Sequence, residues 1–303
     1  MNSPRLRALS CVAVAIICPV AARAAAPAAP AARPLVSNPG AGGAAAPKPA
    51  APLPPARAPD AIIADMIAAV GGAAALQRHK SLHTTMEITF KGLGITGTAE
   101  HWAATGDRTL TTTTIPNVAT SREGSDGKRF WSEDPINGLR ILEGAEAEQA
   151  RIEGAWNAEL RMKELFTKIE ARNELGEGGQ RLECLVLIPK VGGPITECVD
   201  ATTHLLVVQK GVRSGPQGEM PYTARLSDWR AVGDVKVAHA SEMQVGPLAF
   251  TGRVVRAEVD VAIDAGLFAV PGKPALGPGG PAAKATAKPS KKPTPAPAPP
   301  AKH

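Results

Sequence analysis

From Leu82 to Asp260 the chain is written mostly in short β-type segments punctuated by Gly, Pro, Asn and Asp, with one helix-like interruption. That order leaves few folds open. His83–Phe90, Ile95–Trp102 and Arg108–Ile115 read as strands, and Thr109–Thr114 is β-branched at five of six positions, which disfavours helix. Asp126-Gly127 is a hairpin signal between Thr120–Glu123 and Arg129–Trp131. Glu143–Phe166 is the longest helix-like region, its apolar face broken near Gly154. Strands are expected again near 167–174, 181–189, 195–200, 204–212, 221–231, 235–245 and 248–260. Ahead of all these, Asp60 is a plausible N-cap for a helix carrying Ile62, Ile63, Met66, Ile67 and Val70, stopped by Gly71-Gly72 and followed by a helical turn at Ala73–Arg78. Helix, sheet, helix and a second run of strands specify an α+β fold with an antiparallel sheet, because the βαβ alternation of a parallel sheet is missing.

The folding part is shorter than the chain. Arg5 and Arg7 precede an apolar stretch from Ala8 to Ala22, and Ala22-Arg23-Ala24 offers a small-x-small cleavage site, so residues 1–24 read as a secretory signal peptide. Residues 25–57 hold 13 Ala and 9 Pro, and 273–303 hold 8 Ala and 9 Pro. Neither has the apolar periodicity to offset its ordering entropy, so both are expected to be disordered spacers. One domain, 58–272, remains, with an expected location in the periplasm. Net charge divides the same way. The domain carries 22 basic and 28 acidic residues, and the flanks carry the other 12 basic residues and no acid. An acidic domain with ten aromatics lacks the basic, stacking surface that nucleic acid requires.

Removing the signal leaves Cys184 and Cys198. An even pair in an exported chain favours a disulfide, here closing a 15-residue loop across a hairpin that turns near Val191. A redox or metal pair is the rival reading, without a C-x-x-C spacing or a nearby ligand set to support it.

Several short segments match catalytic or cofactor motifs in letters only. Gly92-Leu93-Gly94-Ile95-Thr96-Gly97 matches G-x-G-x-x-G, but a strand follows where a dinucleotide site needs a helix N-terminus. Ser125-Asp126-Gly127-Lys128 matches S-x-x-K on what reads as a tight turn rather than a helix start. Asp264-Ala265-Gly266 has alanine in the middle position of the aspartic-protease triplet. His79 and His83 have helical metal-binding spacing with Lys80 between them, while His101, His204 and His239 stand apart. No acid, base and nucleophile converge, so no enzyme activity, cofactor or metal is expected.

The landmarks Val70-Gly71-Gly72, Ala75-Leu76, Ser81-Leu82, Gly124-Ser125-Asp126-Gly127 and Trp131 come in an order that resembles the LolA/LolB-like family of lipoprotein-sorting proteins. Asp134-Pro135, Gly138, Cys184, Asp200, Asp228-Trp229-Arg230 and the closing Asp264, Phe268 and Pro271 extend the resemblance over about residues 62–271. It implies an incomplete, strongly curved antiparallel β-barrel with helices covering an apolar cavity. It also implies a non-catalytic carrier or sensor of lipoprotein acyl chains or another hydrophobic ligand in the cell envelope. Burying about ten methylenes at ~0.8 kcal/mol each gives ~8 kcal/mol, about micromolar affinity before binding costs. The expected partner is a lipidated protein or a hydrophobic small molecule. The tail lysines Lys284, Lys288, Lys291, Lys292 and Lys302 suit either an attachment to anionic envelope polymer or membrane surface, or a solubilising spacer. An envelope scaffold tethered by that tail, and a hydrolase on an unrecognised site, are the other two readings.

Overall fold

In β1 (Ser81–Phe90) the side chains of Leu82, Thr84, Met86, Ile88 and Phe90 alternate onto one face and are all buried. The computed structural model describes residues 53–264 and 266–272, and the expected signal peptide, the linker up to residue 52 and the tail from 273 lie outside the described residues. Two short helices lead in, α1 (Pro59–Ala69) and α2 (Ala73–Arg78). After β1 come β2 (Ile95–Ala104), β3 (Arg108–Ile115), β4 (Ala119–Asp126), β5 (Phe130–Asp134) and β6 (Gly138–Ile141). A helical segment holding α3 (Gly144–Glu153) and α4 (Met162–Leu165) then crosses to β7 (Lys168–Leu175). The remaining strands are β8 (Arg181–Ile188), β9 (Ile195–Asp200), β10 (Leu206–Gly215), β11 (Gly218–Val232), β12 (Val235–Val245) and β13 (Leu248–Val259).

All thirteen strands form one antiparallel sheet in the order β6-β5-β4-β3-β2-β1-β13-β12-β11-β10-β9-β8-β7. It is an open meander. Every neighbour in space is a neighbour in sequence except β1 and β13, and β6 and β7 are left as edges. The sheet curls. Ile115 on β3 and Tyr222 on β11 belong to one apolar cluster with Met86, Phe90, Met243 and Phe250, although five strand spacings separate them. A flat sheet would hold them roughly 24 Å apart. The outer face at β2–β5 is covered by the chain's return, where Phe268 and Val270 pack on Ala104, Leu110 and Trp131.

Local chemistry departs from the sequence reading in four places. Helix α1 begins at Pro59 with Ala58 at the cap position, and Asp60 sits in the first turn paired with Lys163 at 2.8 Å. Proline at that first position costs nothing, since its missing N–H is one the helix leaves unpaired anyway. Strand β6 was not expected. It forms because Asp134 Oδ1 accepts the N–H groups of Ile136 and Asn137 at 2.8 Å each, reversing the chain before Gly138 at φ 65°. The single helix expected over Glu143–Phe166 is broken into α3, a 3₁₀ turn at Ala158–Arg161 and α4. Asp107 accepts from the Trp156 N–H at 2.9 Å and from Arg161 at 2.6 Å, while buried Asn157 takes a left-handed φ of 55° and donates to the Leu76 carbonyl. Tertiary partners therefore override helical periodicity here. Residues 53–57, read as linker, lie against the sheet. Asn173 donates to the Pro54 carbonyl at 2.8 Å, and Arg57 forks onto Glu183 with both contacts at 2.7 Å.

Cys184 and Cys198 stand directly opposite each other on β8 and β9 and are joined as a disulfide, fully buried. Replacing both with alanine is expected to cost about 3 kcal/mol in the chain-entropy account of such a loop. Urea unfolding of wild type and variant, each with and without reductant, checks this; only wild type should respond to reductant. The glycine of the Gly124–Gly127 landmark has a packing reason. A Cβ on Gly124 would lie 2.6 Å from the Trp131 ring and 2.9 Å from the Thr109 carbonyl. Gly124→Ala should destabilise by about 1–3 kcal/mol through overpacking, read as a lowered thermal midpoint.

Candidate functional site

Pairing register decides which side chains share the inner face. Thr84, His101, Thr111, Glu123, Ser132 and Arg140 are successive cross-strand partners from β1 to β6, so they form one polar row across half the concavity. The other half, β8 to β11, brings Leu185, Leu187, Ile195, Ala224 and Leu226 inward. A polar row therefore crosses β1–β6 within a face that also carries Met86, Ile88, Phe90 and Ile115, and the β8–β11 half is mainly apolar.

Helix α3 meets the sheet through charge, from β6 and from β10. Arg140 reaches Glu146 at 2.9 Å, and Arg213 on β10 forks onto Glu153 at 2.8 and 2.6 Å with both side chains largely buried. The Arg213 guanidinium also lies over the Tyr222 ring, 5.8 Å from its centre. Glu123 faces this assembly half-buried. Burial pushes its carboxyl up to about 7; Arg213 opposes the shift, while Glu153, Asp134 and Glu146 add to it.

A cleft opens between the helical segments and the apolar half. Met66 from α1, Ile152 from α3, Met162 from α4, Phe166, Leu226 and Trp229 form its apolar walls. Six polar side chains interrupt them: Glu153, Glu159, Glu197, His204, Gln209 and Tyr222. Water-sized molecules can centre themselves in ≈ 60 Å³ of it, within a wider recess of ≈ 880 Å³ that runs out to open solvent. The smaller figure is room for about four to six waters. Glu197 on β9 accepts from Gln209 Nε2 at 2.9 Å. Burial pushes its carboxyl up to about 7, against the Gln209 hydrogen bond and with the help of nearby Glu159. Tyr222 is likewise pushed up, by burial and by Glu153.

Few of the residues singled out in the sequence meet here. His204, left-handed at φ 56°, lines the cleft. His79 is held between Asp234 and Asp260 at the opposite ends of two strands, its ring nitrogens 2.5 and 2.7 Å from their carboxylates. His83 stacks on Trp102 at 3.7 Å and bonds Glu100, so it and His79 do not converge on one point. Burial holds His101 neutral, its pKa lowered to about 4, and it bonds Thr111. His239 contacts the Val237 carbonyl. Ser125 is fully buried and its Oγ accepts the Gly127 N–H, with Lys128 turned to solvent, as suits a hairpin. Gly92–Gly94 lie in the β1–β2 connection, and Gly97 is within β2, pressed against the Thr114 carbonyl. Asp264 accepts the Gly266 N–H at a surface turn. Among the described residues, the one cluster with metal-ligand spacing is Glu174, Cys184 and Cys198, and its cysteines are spent in the disulfide. No helix among the described residues is long and apolar enough to cross a membrane.

The acids of the cleft escaped the sequence reading. One signal was available for Glu197. If Cys198 faces outward to meet Cys184, then Ile195, Glu197 and Val199 face inward together, which puts a carboxyl on an otherwise apolar strand face.

No protein-family model matches the chain, and no curated protein matches it. Solved structures are similar in fold at low identity. An outer membrane lipoprotein-sorting protein domain from Vibrio parahaemolyticus matches at TM-score 0.48 and 13% identity, over 69% of this chain and 95% of that one. A DUF1329 family protein from Desulfovibrio piger matches at 0.48 and 10%, over 69% and 96%. A LolA superfamily protein from Nitrosomonas europaea matches at 0.45 and 10%, over 68% and 95%. No residue's role is transferred from them.

Proposed function

We propose that this chain is an exported, periplasmic carrier or sensor that holds a hydrophobic ligand, such as the acyl chain of a lipidated protein, non-covalently in the cleft between α1, α3–α4 and β9–β11. The observation that carries this reading is a vacant, largely apolar recess on the inner face of the curved sheet, walled by Met66, Met162, Phe166 and Leu226. Helix α3 borders the recess and buries only Ile152 among its own apolar residues. Its Arg140–Glu146 pair is part-exposed, whereas the buried Arg213–Glu153 pair holds it against β10.

Ala224 lies on the cleft floor with almost no exposure, and Ala224→Leu extends a side chain into the vacant space. Binding of a fluorescent apolar probe such as N-phenyl-1-naphthylamine should fall by about tenfold, roughly 1.4 kcal/mol. The thermal midpoint should stay within a few degrees. Unchanged probe binding by a folded variant would remove the cleft from consideration as the binding site. Native mass spectrometry of the full chain exported from its host should show co-purifying apolar mass.

A further inference from the structure

The polar groups inside the cleft are not a neutral selection. Glu153, Glu159 and Glu197 line it, and neither lysine nor arginine does. Arg213 answers Glu153 from behind with a two-toothed contact, which leaves that carboxylate neutralised within the wall. Glu197 has a different setting. It accepts a hydrogen bond from the neutral amide of Gln209, and Glu159 bears on it as a like charge. The remaining groups facing the cleft are Tyr222 from β11 and His204 from the β9–β10 connection, whose Nδ1 lies 3.7 Å from Glu183. An apolar chain entering this space brings its polar end into a field set by carboxyl oxygens. A carboxylate or phosphate there meets like charge, whereas an ammonium meets its complement.

We propose that the cleft selects an amphiphile whose polar end is a protonated aliphatic amine, the ammonium seated against the Glu197 carboxylate and the alkyl chain lying along Met162, Phe166 and Leu226. This rests on the cleft being the binding site, and adds the chemistry of the ligand's head. The arrangement also sets a pH dependence. Burial holds the Glu197 proton up to about 7, and an ammonium binds the deprotonated form. Affinity for the amine therefore declines on acidification, by about tenfold between pH 8 and pH 6, while affinity for an uncharged analogue stays level.

Isothermal titration of the full chain with n-octylamine, n-octanol and n-octanoate holds the chain constant and varies the head alone. At pH 8 the amine should bind about tenfold or more tightly than the alcohol, and octanoate more weakly than the alcohol. Glu197→Gln keeps the side-chain shape and should bring the amine-to-alcohol ratio close to one, with the pH dependence gone. Should that variant fail to fold, the wild-type comparison of three heads at two pH values still decides. Octanoate binding as well as octylamine overturns this inference, and so does an amine preference untouched by Glu197→Gln. Binding of octanol with no preference for the amine leaves the carrier reading standing and removes only the head-group selection. No binding by any of the three overturns both.

Discussion

Arg213→Met should lower the stability of the domain by about 3–5 kcal/mol, the usual cost of stranding one partner of a buried ion pair. For a domain of this size that is a fall of roughly 6–20 °C in the thermal midpoint. Arg213 and Glu153 keep only 11% and 14% of their side-chain surface, and the guanidinium also covers the Tyr222 ring. Its removal leaves the Glu153 carboxylate in the wall beside the cleft and deprives Glu123 of the one positive charge that favours its ionised form. The double variant Arg213→Met with Glu153→Met should recover most of the loss, because replacing both members of a buried pair by apolar groups is often neutral. A control lies on the surface. Arg253 pairs with Glu87 while both remain more than half exposed, and Arg253→Met should change stability by less than about 1 kcal/mol. If Arg213→Met and Arg253→Met prove alike in chemical denaturation, the Arg213 pair is not what fastens α3 to the sheet.

Glu123→Gln combined with Glu197→Gln should stabilise the protein above pH 8 and leave it almost unchanged below pH 4.5. Burial raises both carboxyls from an ordinary 4.5 to about 7 in the folded chain. Between those values the folded state binds more protons than the unfolded one, so stability falls as pH rises from about 4.5 through 7. Each group contributes about 2–3 kcal/mol to that fall, a figure kept low because both are only half-buried. Glutamine does not titrate, so the variant's stability should decline by about 4–6 kcal/mol less than wild type over the same range. Denaturant unfolding at pH 5 and pH 8 measures the difference directly. A wild type as stable at pH 8 as at pH 5, relative to the variant, would mean that both carboxyls are solvated in the folded chain. The opposing trend belongs to carboxylates such as Asp126 and Asp134, held below their ordinary range by hydrogen bonds from Arg129 and Asn137 despite their burial, and they lose stability only in strong acid.

Glu197 lines the cleft at a cost in stability at neutral pH, whereas the landmark residues mainly build the sheet. Gly124 makes room for Trp131, Gly71 lies against the Asp234 carbonyl, and Asp134 and Asp200 turn the chain by accepting backbone N–H groups. All of these build the curved sheet. None of these four lines the cleft; among the landmarks Val70 and Trp229 do, as part of its apolar wall, so the resemblance speaks mainly to architecture.

Local sequence was sufficient wherever short-range physics decides. Alternation and turn residues placed twelve of the thirteen strands, and the offset of Cys184 from Cys198 across one hairpin matches their pairing. The strand missed, β6, is four residues long and depends on the Asp134 turn rather than on its own composition. The helix over 143–166 was overextended because Asp107, fifty residues earlier, takes the Trp156 N–H and bends the chain.

The amino-acid order by itself determined an antiparallel α+β domain and the cysteine pair, since strand alternation, turn chemistry and hairpin register all act over a few residues. Only the tertiary structure decided where the cleft lies and that three of its polar groups are carboxyls. Glu153, Glu159 and Glu197 belong to a helix, a 3₁₀ turn and a strand that come together only when the sheet curls. The proton affinity of Glu197 is set by burial and by neighbours distant in sequence. Spacing along the chain carries no record of that enclosure.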